Sequence, residues 1–281
     1  MRRHQFLIAA VMAILGIVSF YSMRSDNPIT GERQSVGGIT AEEEIALGLQ
    51  AAPQVAQEFG GLEADAQLQS LVKGVGSKVL QGSAASQAPY QFDFHLLADP
   101  NTINAFALPG GQIFITRALL DRLENEAQLA GVLGHEIGHV VGRHSAEHIA
   151  KSQLTGILVG AAGVAASDAD DPSQGQRVAQ MAQLVGQMVS MKYGRGDELE
   201  SDSLGVRFMS EAGYDPRALI GVMEILKSAS GGGSQPEFFS THPDPGNRTA
   251  IIEQEIAKRY PNGVPSELTT GRAYRAKRRG D

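Results

Sequence analysis

Along this chain the spacing of apolar positions changes several times, and each change marks an element. Phe6 to Met23 is almost uninterrupted hydrophobic sequence behind Arg2 and Arg3. A basic stub before an apolar run is the pattern of an export signal, and eighteen residues suffice to cross a bilayer as a helix. Phe20 and Tyr21 leave no small-residue cleavage site, so residues 1–23 read as an uncleaved signal anchor in preference to a cleaved signal peptide. The basic end then stays in the cytoplasm and the rest is exported. Residues 24–39 are polar and rich in turn formers, which predicts a tether. Thr40 with Glu43 is a capping-box signature opening a helix that stops at Gly60-Gly61, and Leu68, Leu71, Val72, Val75 and Val79 form the stripe of a second helix.

From Tyr90 the period shortens to two. Tyr90, Phe92, Phe94 and Leu96 alternate with polar residues, and Ala105–Leu108 and Gln112–Thr116 follow between turn-forming glycines and prolines. The pattern predicts a small antiparallel sheet. From Asn125 the period is helical again, with Leu129, Val132, Leu133, Ile137, Val140 and Val141 on one face. Gly131, Gly134, Gly138 and Gly142 lie in that helix, where each costs about 1 kcal/mol relative to alanine. Four such residues imply close approach by another backbone or a ligand. The apolar stretch 154–167 is too short to span a membrane comfortably and reads as a buried or interfacial helix. Helices are expected over Val178–Met191, Glu198–Ala212 and Asn247–Arg259, with an acidic turn at Asp168–Gly175 and a flexible loop at Gly231–Gly233. From Arg272 the chain is basic and reads as a solvated tail. The domain organisation is therefore an N-terminal segment, a tether, a domain over residues 40–262 and a basic tail over 263–281. The predicted fold class is α+β, mainly helical, with a small sheet beside the helix that begins near Asn125.

Composition narrows the chemistry. The 281 residues include no cysteine, which excludes disulfide scaffolds, thiolate metal sites and a thiol nucleophile. A net charge of −7 argues against a nucleic-acid partner.

The chemistry concentrates in one stretch. His135-Glu136-Ile137-Gly138-His139 is H-E-x-x-H on a predicted helix. A spacing of four leaves the two imidazoles about 40° apart, one turn along the axis, so both can ligate one zinc ion while Glu136 takes a proton from the water it activates. His144-Ser145-Ala146-Glu147-His148 matches the inverted motif H-x-x-E-H, but its flanks are polar. Extrapolating a single helix puts His144 about 140° round from His139, facing elsewhere, which favours a capping or structural role. The metzincin pattern fails because Ser145 stands at its third ligand position. A hydrolytic zinc needs a third protein ligand, which without cysteine is His, Asp or Glu. The most promising source is Arg195–Asp202, where Glu198 and Asp202 share a helix face: one can bind metal while the other accepts the N–H of a ligating histidine.

Taken with Asn104-Ala105-Phe106-Ala107-Leu108-Pro109-Gly110-Gly111, with Tyr193-Gly194-Arg195 ahead of Glu198-Leu199-Glu200-Ser201-Asp202, and with Thr241-His242-Pro243 and Arg248, the chain resembles the gluzincins of metallopeptidase family forty-eight from about Asn27 to Arg259. The resemblance implies a zincin-like metalloprotease domain and one zinc ion held by His135, His139 and Glu198, with Asp202 supporting a ligating histidine. It implies an edge strand at Asn104, Ala105 and Phe106 that pairs with an extended polypeptide substrate. His242 would stabilise the oxyanion or cap the zinc in a latent state, and Arg248 would orient substrate or stabilise negative charge. Gly194 and Ser201 replace the usual serine and alanine, and neither change removes a ligand.

The expectation is a zinc endopeptidase of extended or misfolded envelope proteins, with Glu136 as general base. It would be periplasmic or otherwise extracytoplasmic and tethered to the inner membrane. The competing readings are a membrane-tethered chaperone or assembly factor with a latent or structural zinc site, and a non-peptide zinc hydrolase such as an amidase.

Overall fold

Three of the predicted helices begin where the sequence offers a side chain to cap them. The computed structural model describes residues 2–166, 192–230, 236–243 and 246–274. Helix α1 covers Arg2–Ser22 and α2 covers Ala41–Glu58. At the start of α2 the Thr40 hydroxyl accepts from Glu43 N at 3.2 Å, and the Glu43 carboxylate accepts from Thr40 N at 2.8 Å. Helix α3 (Ala66–Gln81) starts on Asp65, and α5 (Glu126–Val141) starts on Asn125, whose Oδ1 accepts from Gln128 N. The remaining helices are α4 (Arg117–Leu120), α6 (His144–Ala166), α7 (Arg195–Glu211), α8 (Ala218–Ala229), α9 (Phe238–Thr241) and α10 (Arg248–Arg259). The helix expected over Val178–Met191, the turn at Asp168–Gly175 and the loop at Gly231–Gly233 lie outside the described residues.

Strands β1 (Ser25–Asp26) and β2 (Arg33–Gln34) pair antiparallel, while β3 (Asp93–Leu97), β4 (Ala105–Ala107) and β5 (Gln112–Thr116) form the main sheet in the order β3-β5-β4. The hairpin β4–β5 is antiparallel, but β3 runs parallel to β5. The small sheet expected from the sequence is present, antiparallel at β4–β5 and joined by β3 in parallel because β5 inserts between β3 and β4. Alternation sets the two faces. Ile113, Ile115, Ala105 and Ala107 join the main core with α3 and α5, whereas Phe106 and Phe114 turn to a second cluster with Ala51 and Val55 of α2.

Every residue of α5 from Ala127 to Val141 is buried. Its glycines let α7 approach. A Cβ placed on Gly138 would lie 3.1 Å from Ser201 Cα, and one on Gly205 would lie 3.2 Å from His135 N. Both ends of α5 are held by distant chain. Glu126 N and Ala127 N donate to the carbonyls of Arg272 and Thr270, and Asn27 Nδ2 donates to Val141 O at 2.7 Å. Gln34 Nε2 donates to Gly142 O. The stretch read as a tether is therefore a hairpin docked on the end of α5. The basic tail packs on the domain as far as Tyr274, since its backbone completes the helix's first turn.

Helix α1 packs on α6, with Gly16 facing Ile157 and Leu154. Phe6, Leu7, Val11, Ile14, Leu15 and Val18 of α1 remain exposed. Among the described residues, no helix is long and apolar enough to cross a membrane.

Helix α3 supplies a paired test of packing. A Cβ on Gly76 would meet the ring of buried Phe94 at 2.5 Å, whereas one on Gly74 meets nothing within 4 Å. Gly76→Ala should cost about 1–3 kcal/mol in thermal denaturation. Gly74→Ala in the same helix should be neutral or gain roughly 0.5–1 kcal/mol.

Candidate metal centre

Helix α5 presents His135 and His139 on one face, one turn apart, with Nε2 atoms 3.0 Å from each other. Helix α7, drawn in by the glycine contacts, brings Glu198 to 3.4 Å from His139 Nε2 and 3.6 Å from His135 Nε2. His242, just past α9, completes the group: its Nδ1 lies 3.0 Å from Glu198 Oε1 and 3.3 Å from His135 Nε2. Each of these four residues offers one donor atom within 4.8 Å of the others, and all four are buried. Among the described residues, they form the group that could hold a metal ion.

The outer contacts fix the rings. Asp202, one turn after Glu198, accepts from His135 Nδ1 at 3.0 Å. Arg248 of α10 donates to both oxygens of Asp202, at 2.8 and 2.7 Å, and its Nη1 lies 3.0 Å from Glu198 Oε2. It is 1% exposed and turned toward these carboxylates. Tyr193 stacks on His139 with centroids 3.9 Å apart, and Phe238 stacks on His242 at 4.5 Å. Glu136 is fully buried, with neither carboxylate oxygen hydrogen bonded among the described residues; His242 Nε2 stands 3.6 Å from one of them.

The donor set suits a divalent cation. Glu136, Glu198 and Asp202 against Arg248 leave a formal charge of −2 in a buried volume when the imidazoles are neutral. Such a charge is costly without a counterion. Burial opposes ionisation of Glu198, but His242 and His139 overcome it and hold the carboxyl well below its usual range. Burial also drives His139 well below 6.5, which keeps its ring neutral with a lone pair to share. Asp202 is lowered against burial by Arg248, and Glu136 is raised by burial. For His242, Glu198 and Glu136 more than offset desolvation and raise the pKa. A proton on that ring and a cation among the four donors compete for one negative field.

Of the substrate-strand residues, Ala105 and Phe106 lie in β4 and Asn104 precedes it, bonded through its backbone to Thr116. The Phe106 side chain is committed to packing, stacked on Phe114 at 5.3 Å.

The site also holds residues that the motif left aside. His144 does not face elsewhere: its Nδ1 lies 2.9 Å from His139 Nδ1. The single-helix extrapolation fails because α5 ends at Val141 and Arg143, at φ 55°, turns the chain back before α6 begins. The inverted motif places no ligand in the metal group; His148 pairs instead with Asp197 at 2.9 Å. The fall of Tyr193 and Phe238 on the imidazole faces had no local signal.

The model of peptidase family M48 matches residues 65–256. The chain is 30% identical over 260 residues to the mitochondrial metalloendopeptidase OMA1 of Schizosaccharomyces pombe, covering 90% of this chain and 72% of that one. It is 31% identical over 210 residues to the Beta-barrel assembly-enhancing protease of Escherichia coli, covering 72% of this chain and 42% of the relative, less than half its length. It is 27% identical over 176 residues to the metalloprotease YcaL of Escherichia coli.

Purified protein should take up one divalent cation per chain in metal analysis. Asp202→Ala should weaken that binding about 10–100-fold in a chelator competition. Acidification should release the metal, because the ligating imidazoles must stay unprotonated.

Proposed function

This chain belongs to peptidase family M48 and is a metalloprotease; from that premise we propose that it is a zinc-dependent endopeptidase of extended or misfolded polypeptides, with His135, His139 and Glu198 as ligands and Glu136 as general base. The observation that carries this reading is the buried convergence of those three donors beside an ionisable carboxylate that has no hydrogen-bond partner among the described residues. Zinc bound there would polarise the scissile carbonyl and lower the pKa of a water at its open position to about 7.

The protein's own groups do the rest. Glu136 takes the proton of the attacking water and hands it to the leaving amine. Burial, which raises its pKa, makes it a stronger base than an exposed carboxylate. Asp202 holds the tautomer of His135, and Arg248 fixes both Asp202 and Glu198.

The substrate edge is β4. Leu108 N donates to Gln112 O and Thr116 N to Asn104 O, so the antiparallel alternation turns the backbone groups of Ala105 and Ala107 away from β5. An extended polypeptide laid along that edge would pair with them. Phe238 N donates to Ile103 O at 3.0 Å beside this edge, and the same short segment carries His242 onto the ligands. A resting enzyme closed by one segment at both places is the state this arrangement supports, with His242 as the cap.

The exposed apolar side chains of α1 support association with a membrane, and the relative named for β-barrel assembly supports substrates in a cell envelope and an extracytoplasmic location. A chaperone or assembly role with a silent metal site is distinguished by catalysis. Glu136→Gln should keep its metal yet lose at least about a hundredfold in casein cleavage; cleavage at the parent rate would remove Glu136 from the role of base.

His242 has its own test. His242→Ala should raise casein turnover with metal content unchanged, because the cap is gone and three protein ligands remain. A fall in turnover would make His242 an oxyanion donor instead.

A further inference from the structure

The contact between His139 and His144 constrains protons as well as positions. His139 turns Nε2 to the other metal-binding donors, so that nitrogen must present its lone pair and the ring hydrogen must sit on Nδ1. His139 Nδ1 then donates to His144 Nδ1 at 2.9 Å. His144 must accept on Nδ1, so its own hydrogen sits on Nε2, which lies 3.1 Å from Glu200 Oε2. We propose that His144 is a positioning residue for the metal, holding His139 in its ligating tautomer and orientation through a relay that ends on the Glu200 carboxylate. The proposal rests on the metal-binding reading of the site but not on proteolysis.

Several independent features build this relay. His144 is 2% exposed. Its ring occupies the space over Gly142, where a Cβ would meet Nε2 at 2.6 Å. The left-handed Arg143 makes the reversal that returns His144 to His139. Ser201 Oγ lies 3.3 Å from His144 Nδ1. The stacked ring of Tyr193 holds the face of His139 while His144 holds its edge. Helix α7 therefore supports both imidazoles of the motif: Asp202 reaches His135 directly, and Glu200 reaches His139 through a second imidazole. The far end of the relay opens on a cleft of about 720 Å³ lined by His144, Glu200, Asp197 and Glu147. His242 is not among the residues lining that cleft.

The test is zinc affinity of the full chain, measured by competition with a chromophoric chelator, with the absorption spectrum of the cobalt-loaded protein as a second readout. His144→Phe keeps a planar ring but neither accepts nor donates; it should weaken zinc binding about 10–100-fold and change the cobalt spectrum. His144→Gln can accept from His139 and donate to Glu200, and should restore both to the parent's values. Parent-like affinity and spectrum in a folded His144→Phe would overturn the proposal, as would a loss in His144→Gln as large as in His144→Phe. Should His144→Phe fail to fold by circular dichroism, Glu200→Ala decides: it leaves His144 in place without its anchor, so weaker zinc binding with an altered cobalt spectrum supports the relay, and parent values overturn it. A parent that binds no zinc overturns the metal-binding reading itself, whereas a parent that binds zinc indifferently to residue 144 overturns only the relay.

Discussion

The site depends on how closely two helix backbones approach. Helix α7 lies against α5 at Gly134, Gly138 and Gly205, where side chains larger than hydrogen would meet backbone or Leu204 at 3.1–3.5 Å. Close packing of this kind turns small volume changes into displacement of whole elements. The same contact fixes the distance from the histidines of α5 to Glu198 and Asp202. The helix penalty of Gly134 and Gly138 in α5 is thus the energetic cost of placing a carboxylate beside two imidazoles.

A second constraint is electrostatic. Glu136, Glu198, Asp202 and Arg248 are all at most 1% exposed. Taking such groups out of water is tolerable only with near-complete pairing. Arg248 spans Asp202 and Glu198, and His135 Nδ1 donates to Asp202. Glu136 stands apart, with no hydrogen bond to its oxygens among the described residues. A buried carboxylate with neither oxygen satisfied costs stability.

Local patterns in the sequence identified what local geometry controls. The capping box at Thr40, the alternation through β3 and β5, and the helical stripe after Asn125 all correspond to elements, because each is decided by neighbours within a few residues. The pairing of His135 with His139 follows from helix pitch alone. Glu198 and Asp202 were accessible as a pair on one face, although only the tertiary contact between α5 and α7 puts them beside the histidines. What escaped is non-local or hinges on one backbone angle. Arg143 adopts φ 55°, and that single residue redirects His144 from the far side of a presumed helix to the edge of His139. The parallel pairing of β3 with β5 and the docking of residues 25–34 on the end of α5 likewise have no local signature. Neither does the capture of residues 269–274 by the start of that helix.

That last feature bears on how the protein comes into being. The amino-terminal turn of α5 borrows carbonyls from Thr270 and Arg272, and Gly271, at φ 67°, lets that strand lie across Glu126. These partners leave the ribosome long after the histidine-bearing helix, and long-range closure of this kind is slow. The first turn of α5 is thus completed only by chain far downstream of it: a nascent chain carries the whole H-E-x-x-H motif well before the helix bearing it has both ends secured.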